Sequence, residues 1–238
     1  MDFFTVMIIL ITLVVFVFII LIAFVMKKGK DTKEAAFLEA ERTQMLQRVS
    51  KKRKKLIAPK ATIYKQLTDA MTFERVEDVR TITLSGTLHN SEGKSVVAFE
   101  RIERGLRFTG QLVAMTKKQT FVYEFENREI TIFCEDELLG FWTKAGLLLN
   151  AEKQQIGTLK RTTTTHELIL NNRKLATIQK APSYDHIARI TEVSEVFKEL
   201  KYGTSLLSIH DAPTKDEEKW LTALAIFEIT FYGNTPVA

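Results

Sequence analysis

The chain has one cysteine, four prolines and ten glycines in 238 residues. A single cysteine excludes an internal disulfide and fits a reducing compartment. So little proline and glycine argues against a disordered or fibrous chain. Only four histidines occur, His89, His166, His186 and His210. None stands at metal-ligand spacing from Cys134 or from another histidine. No G-x-S-x-G elbow, Walker loop or G-x-G-x-x-G turn is present. The sequence therefore offers no catalytic residue, no cofactor site and no metal site. His89 falls in a turn, "LHNSEG". His186, in "SYDHIAR", reads as part of a locally capped loop. "TTTTHE" (162–167) reads as a threonine-rich turn or strand entry. Cys134, in "EITIFCED", sits at an inward phase of an alternating pattern and reads as a small buried hydrophobe.

Charge and proline are also missing from residues 3–26, "FFTVMIILITLVVFVFIILIAFVM". As a helix this run spans about 36 Å, enough to cross a hydrocarbon core with some tilt. A soluble core helix would keep a water-facing side, and a cleaved signal would need a basic start and a small-residue exit. The expectation is a transmembrane anchor over 1–26. Lys27, Lys28, Lys30 and Lys33 follow it and nothing basic precedes it, so the N-terminus is placed outside and the rest in the cytoplasm.

A basic stalk is expected over 27–60. It carries 12 basic and 4 acidic residues, a net of +8, while the whole chain carries +5. Asp2 is the one charge before it, which leaves −2 for residues 61–238. The excess positive charge is thus confined near the bilayer and is densest in "SKKRKK". Lys51, Lys52, Arg53, Lys54 and Lys55 are the candidate contacts with anionic lipid, each worth about 1 kcal/mol near a membrane surface. Screening makes that contact depend on the stalk bending or lying down. The bland reading is a solvated helix whose charge only fixes topology. Nothing points to nucleic acid: no aromatics interleave the basic run. A coiled coil fits poorly, because Arg42 and Lys52 fall in the seam of Leu38, Met45 and Val49.

From about residue 80 the apolar period becomes two. Ile82, Leu84 and Leu88 alternate, as do Leu106, Phe108 and Leu112, then Phe121, Tyr123 and Phe125, then Ile130, Ile132 and Cys134. About a dozen short strands are expected, separated by turn signals such as "HNSEGK", "ENR" and "NNRK". Such a series reads as a meander closing into a barrel. "LLGFWTK", "QIGTLKR" and "LATIQK" repeat one order of apolar, small and basic residues, with Gly140, Gly157 and Ala176 about one hairpin apart. A stripe of Ile63, Leu67 and Met71 suggests a helix capping the barrel between 61 and 79.

The segment "DEEKWLTALAIFEITFYG" has no polar face and is too short to cross a bilayer. Thr214 and Glu217 form a capping box ahead of it, and Asp216, Glu217 and Glu218 suit the positive end of the helix dipole. The expectation is a helix over about 215–232, buried on all sides within the barrel. Trp220 would plug one end. Glu228 would reach water near the mouth or meet an inward Arg or Lys.

Together, "LLGFWTK", "QIGTLKR", "LATIQK" and "EEKWLTALAIFEITFYG" resemble the tubby C-terminal-like barrel superfamily, which includes LURP-one-related and phospholipid-scramblase-type domains. The resemblance covers roughly residues 80–233. It implies a closed antiparallel barrel of about 12 strands around a C-terminal hydrophobic helix, here set in a domain over 61–238. It also implies a non-enzymatic binding module, since tubby domains bind phosphoinositides through surface basic residues. A long N-terminal anchor departs from the family pattern. The expected role is a cytoplasm-facing, membrane-anchored module that contacts anionic phospholipid or a membrane protein partner. A structural or assembly factor is the alternative, and an unrecognised enzyme the second.

Overall fold

A computed structural model describes residues 36–58, 62–78, 81–104, 109–127, 129–162, 164–179, 198–200 and 205–231. The anchor expected over 1–26 and His186 lie outside the described residues. Among those described, no helix is long and apolar enough to cross a membrane. The chain divides into two compact units, Met1–Gln44 and Met45–Ala238. In the first, residues 36–44 are helical, with Arg42 4.0 Å from Glu39 one turn back. This helix, α1, extends to residue 53. The stalk expected over 27–60 is thus divided, and its residues from Met45 onward belong to the second unit.

The second unit is mainly β. β1 (Met71–Glu77), β2 (Thr81–His89), β3 (Ser95–Arg104), β4 (Thr109–Thr116), β5 (Thr120–Glu126), β6 (Glu129–Cys134), β7 (Glu137–Trp142), β8 (Leu147–Leu149), β9 (Gln155–Arg161), β10 (Thr165–Leu170) and β11 (Arg173–Gln179) form an antiparallel meander. β12 (Lys198–Leu200) pairs with β1, and β13 (Leu207–Ile209) pairs with β11. The turns follow their chemistry. Asn171 and Asn172 both hold positive φ between β10 and β11, the backbone a two-residue hairpin requires.

The closed barrel needs a correction: β12 and β13 are edges, and among the described residues no ladder joins them. Each is only three residues long. The seam is stitched by single residues instead. Thr68 bridges Ser205, and the Leu206 N–H donates to the Leu67 carbonyl at 3.2 Å. The capping helix is corrected too. Ile63, Leu67 and Met71 are all buried, but only Ile63–Lys65 is helical, as one 3-10 turn. Met71 and Phe73 already alternate inward on β1, so period two wins over the i, i+4 stripe.

α2 (Lys215–Thr230) is the apolar helix, and the sheet is rolled around it. Its capping box is formed: Thr214 Oγ1 accepts from the Glu217 N–H at 3.3 Å, and Glu217 accepts from the Thr214 N–H at 2.8 Å. From Trp220 to Phe231 every residue is buried. Its partners come from several strands. The Tyr123 hydroxyl on β5 donates to the Ala223 carbonyl at 2.8 Å. Trp142 on β7 meets Phe227 edge-on at 5.3 Å, and Phe125 meets Phe231 edge-on at 5.0 Å. Gly140 on β7, with φ +150°, leaves room for Trp220, whose ring would lie 2.9 Å from any Cβ placed there.

The sheet is also covered on part of its outer face. Met45 and Val49 of α1, with Leu56, pack against Ala98, Ile102, Val113, Met115 and Val122. Arg48 grips the buried Glu100 carboxylate with two nitrogens, at 2.6 and 3.0 Å. β3 and β4 are accordingly buried on both faces, whereas β6 and β10 alternate.

Candidate functional site

The five basic residues expected to meet lipid do not behave alike. The helix ends at Arg53, and a turn follows in which the Lys55 and Leu56 N–H groups bond back to Lys52 and Arg53. Leu56 is anchored beneath, so the turn is pinned to the sheet. Lys52 and Arg53 are half-buried. Lys52 donates to the Ser85 hydroxyl at 3.3 Å, and Arg53 donates to the Lys117 carbonyl at 3.2 Å. Lys51, Lys54 and Lys55 are exposed. The β4–β5 turn adds to them, because Lys117 Nζ donates to the Lys54 carbonyl at 3.3 Å. Sequence reasoning missed Lys117. Its signal was "TKKQT" between two apolar strands, a basic hairpin tip.

The next lysine on that turn, Lys118, lines a cleft of about 500 Å³. The cleft is walled by Tyr64 of the 3-10 turn, by Lys118 and Gln119, and by Lys215, Glu218 and Lys219 of α2. The last three share one helix face at i, i+3 and i+4. The hairpin tip is built by Thr116, whose Oγ1 accepts from the Lys118 and Gln119 N–H groups at 3.2 and 2.7 Å. Lys219 is paired with Asp216 at 3.3 Å. Glu218 accepts from the Tyr64 hydroxyl at 3.5 Å. None of these lysines was a candidate from sequence, because 116–119 and 215–219 come together only in the fold.

Inside the sheet, Glu228 is buried rather than at a wet mouth, and no lysine pairs with it among the described residues. It lies 3.2 Å from Nε2 of His166 on β10, and both are almost wholly buried, at 4% and 2% exposure. The contact is poorly aligned, so both imidazole nitrogens and Glu228 Oε2 lack a hydrogen-bond partner among the described residues. The expected Arg is present elsewhere: Arg101 on β3 donates to the Thr230 carbonyl, sits over the Phe231 ring at 4.4 Å and contacts Glu103 at 3.1 Å. It closes the C-terminal end of α2. At the other end, Glu217 accepts from Asn171 at 3.0 Å and from Arg173 at 2.5 Å. Burial opposes its ionisation, but the Thr214 N–H, Asn171 and Arg173 outweigh it and hold the carboxyl below its usual range.

The remaining candidates are structural. Cys134 is buried, and burial pushes its thiol up to about 11, away from thiolate chemistry. Burial likewise raises the Tyr123 hydroxyl well above its ordinary value, and that proton holds Ala223. His89 ends β2 rather than sitting in the turn, with Nε2 2.8 Å from Thr72 Oγ1. His210 makes the same kind of contact with Thr177. Searches of family models, of curated proteins and of solved structures find no match to this chain.

Proposed function

We propose that this is a single-pass membrane protein whose β unit is a non-enzymatic binding module at the cytoplasmic face, docking on anionic phospholipid. One observation carries the reading: Lys51, Lys54, Lys55 and Lys117 gather in exposed positions on one pinned rim, while residues 61–238 carry a net −2. A positive rim on a weakly negative body orients the unit toward an anionic surface. The uncharged run over 3–26 would hold it there. An all-apolar helix wrapped by one antiparallel meander supports kinship with tubby-like barrels, and that kinship is likewise proposed.

Pelleting residues 27–238 with vesicles tests the reading. Binding should require acidic lipid and weaken with salt. Changing Lys51, Lys54 and Lys55 together to Gln should reduce affinity by about 100-fold, at roughly 1 kcal/mol each. Binding that ignores both acidic lipid and these substitutions would defeat it. A partner recovered in mild detergent would then favour an assembly role.

A further inference from the structure

We propose that the cleft between the 3-10 turn, the β4–β5 turn and the first turns of α2 binds a free acidic α-amino acid, of the glutamate or aspartate type. This goes beyond the docking reading, whose residues Lys51, Lys54, Lys55 and Lys117 do not line the cleft. The cleft's volume, about 500 Å³, falls within the range of small-molecule sites and holds an amino acid together with bridging water.

Its unpaired charges are of both signs, and they select the ligand. Lys219 is taken by Asp216 at 3.3 Å and is left out of the count. Among the described residues, Lys118, Lys215 and Glu218 have no ion pair, which leaves two positive groups and one negative. Glu218 is half-buried, and its side chain accepts one hydrogen bond among the described residues, the 3.5 Å contact from the Tyr64 hydroxyl. An ionised carboxylate has about four acceptor sites, so most of that capacity is open to a cationic donor. Lys118 and Lys215 are exposed ammonium groups and attract carboxylates. A ligand that satisfies all three carries one ammonium and two carboxylates, the charge pattern of an acidic amino acid at neutral pH. A dicarboxylate without the amine would leave Glu218 facing an anion. An amino acid without the second carboxylate would leave one lysine unmatched.

The placement suits the ligand's covalent layout. Lys215 and Glu218 lie one turn apart on one face of α2, at i and i+3. An α-carboxylate and an α-ammonium branch from one carbon, so they would meet this wall together. Lys118 stands on another wall, at the β4–β5 tip that Thr116 builds, where a side-chain carboxylate would meet it. Thr62 and Gln119 add polar groups for the remaining donors and acceptors. The helix end itself is not the binding element, because the Glu217 and Glu218 N–H groups already donate to Thr214.

The test uses the full chain in phosphatidylcholine nanodiscs without acidic lipid, so its outcome bears on the cleft and leaves docking to the vesicle experiment. Calorimetric titration compares L-glutamate, glutarate, which lacks the amine, and L-glutamine, which lacks the second carboxylate. Amide exchange at 62–66 and 116–120 locates the binding. Glutamate should bind saturably and protect both stretches. Glutarate should bind about tenfold more weakly, since Glu218 then has no cation to meet. The lysines are exposed, so glutamine should be weaker by about fivefold, and each of Lys118→Gln and Lys215→Gln should weaken glutamate about fivefold. Glu218→Gln should erase the preference for glutamate over glutarate. The near-ultraviolet signal of Trp142 and Trp220 should stay unchanged in all three variants. No saturable binding of glutamate, binding without protection at these stretches, or glutarate binding as tightly as glutamate overturns the proposal. So does a preference over glutarate that survives in Glu218→Gln.

Discussion

The buried Glu228–His166 contact gives the sharpest quantitative prediction. The two groups lie 3.2 Å apart on α2 and β10, and His166 Nδ1 and Glu228 Oε2 have no hydrogen-bond partner among the described residues. Each such orphan costs about 1–3 kcal/mol, so the pair as built already carries about 2–6 kcal/mol of desolvation. Removing one member strips the other of its one close polar neighbour among the described residues. His166→Leu should therefore destabilise the unit by about 3–5 kcal/mol, and Glu228→Met should cost less, because an unpaired imidazole is easier to leave buried than an unpaired carboxyl group. The double variant removes both desolvation terms and fills the space with apolar volume. It should be at least as stable as the parent, within about 1 kcal/mol or above it. Urea denaturation followed by tryptophan fluorescence is a suitable assay, since Trp142 is buried against α2 and Trp220 is buried on it. The coupling energy should exceed about 2 kcal/mol. Single costs that simply add in the double variant, within about 0.5 kcal/mol, would show that the two side chains do not interact and refute the reasoning.

Three further perturbations follow from named contacts. Gly140→Ala places a Cβ at φ +150° against the Leu149 carbonyl oxygen and the Trp220 ring, so it should cost about 3 kcal/mol or more, read as a fall in the urea midpoint. Arg48→Ala leaves the buried Glu100 carboxylate without its bidentate partner. Arg48 is half exposed, so solvent moderates the loss to about 1–2 kcal/mol, seen as faster amide exchange over 45–53. Glu217 has a folded pKa below its unfolded value, so its contribution is complete above about pH 4.5 and is lost as pH falls through the folded pKa. Glu217→Gln should flatten that acid limb of the stability profile; an unchanged limb would show that the Asn171 and Arg173 bonds do not favour the ionised form.

Much of the second unit was legible because period two leaves a direct trace. Phe121, Tyr123 and Phe125 face inward as their alternation requires, and so do Ile130, Ile132 and Cys134. The α2 start was legible from Thr214 and Glu217, since a capping box is local chemistry. Gly140, Gly157 and Ala176 fall on β7, β9 and β11, every second strand, as a spacing of one hairpin demands. The cleft was not legible. Its walls are separated by some 50 and 100 residues, and only the roll of the sheet brings Tyr64, Lys118 and Lys219 together. His166 was within reach: it shares the phase of Leu168 and Leu170, which are inward, and that phase should have outweighed the run of threonines before it.

The covering of the sheet by α1 was also written in the sequence, in a form that period-two reading passes over. "SVVAFERI" and "QLVAMT" do not alternate; they are apolar at consecutive positions. A strand with one wet face cannot afford that, so such runs demand cover on both sides. α2 covers the inner set, Val97, Phe99, Leu112 and Ala114, and residues 45–56 cover the outer set, Ala98, Ile102, Val113 and Met115. Glu100 breaks the outer run at the position where Arg48 supplies the opposite charge. The basic turn therefore stands where it does for a packing reason: Met45, Val49 and Leu56 fix the segment against β3 and β4. Lys51, Lys54 and Lys55 are then held outward beside the β4–β5 tip. A stalk free of the sheet would present the same charges without a defined neighbour. Separating it, by replacing Met45 and Val49 with Asp, should therefore free residues 45–56 to exchange and uncouple Lys54 from Lys117, while the near-ultraviolet signal of Trp142 and Trp220 inside the roll persists.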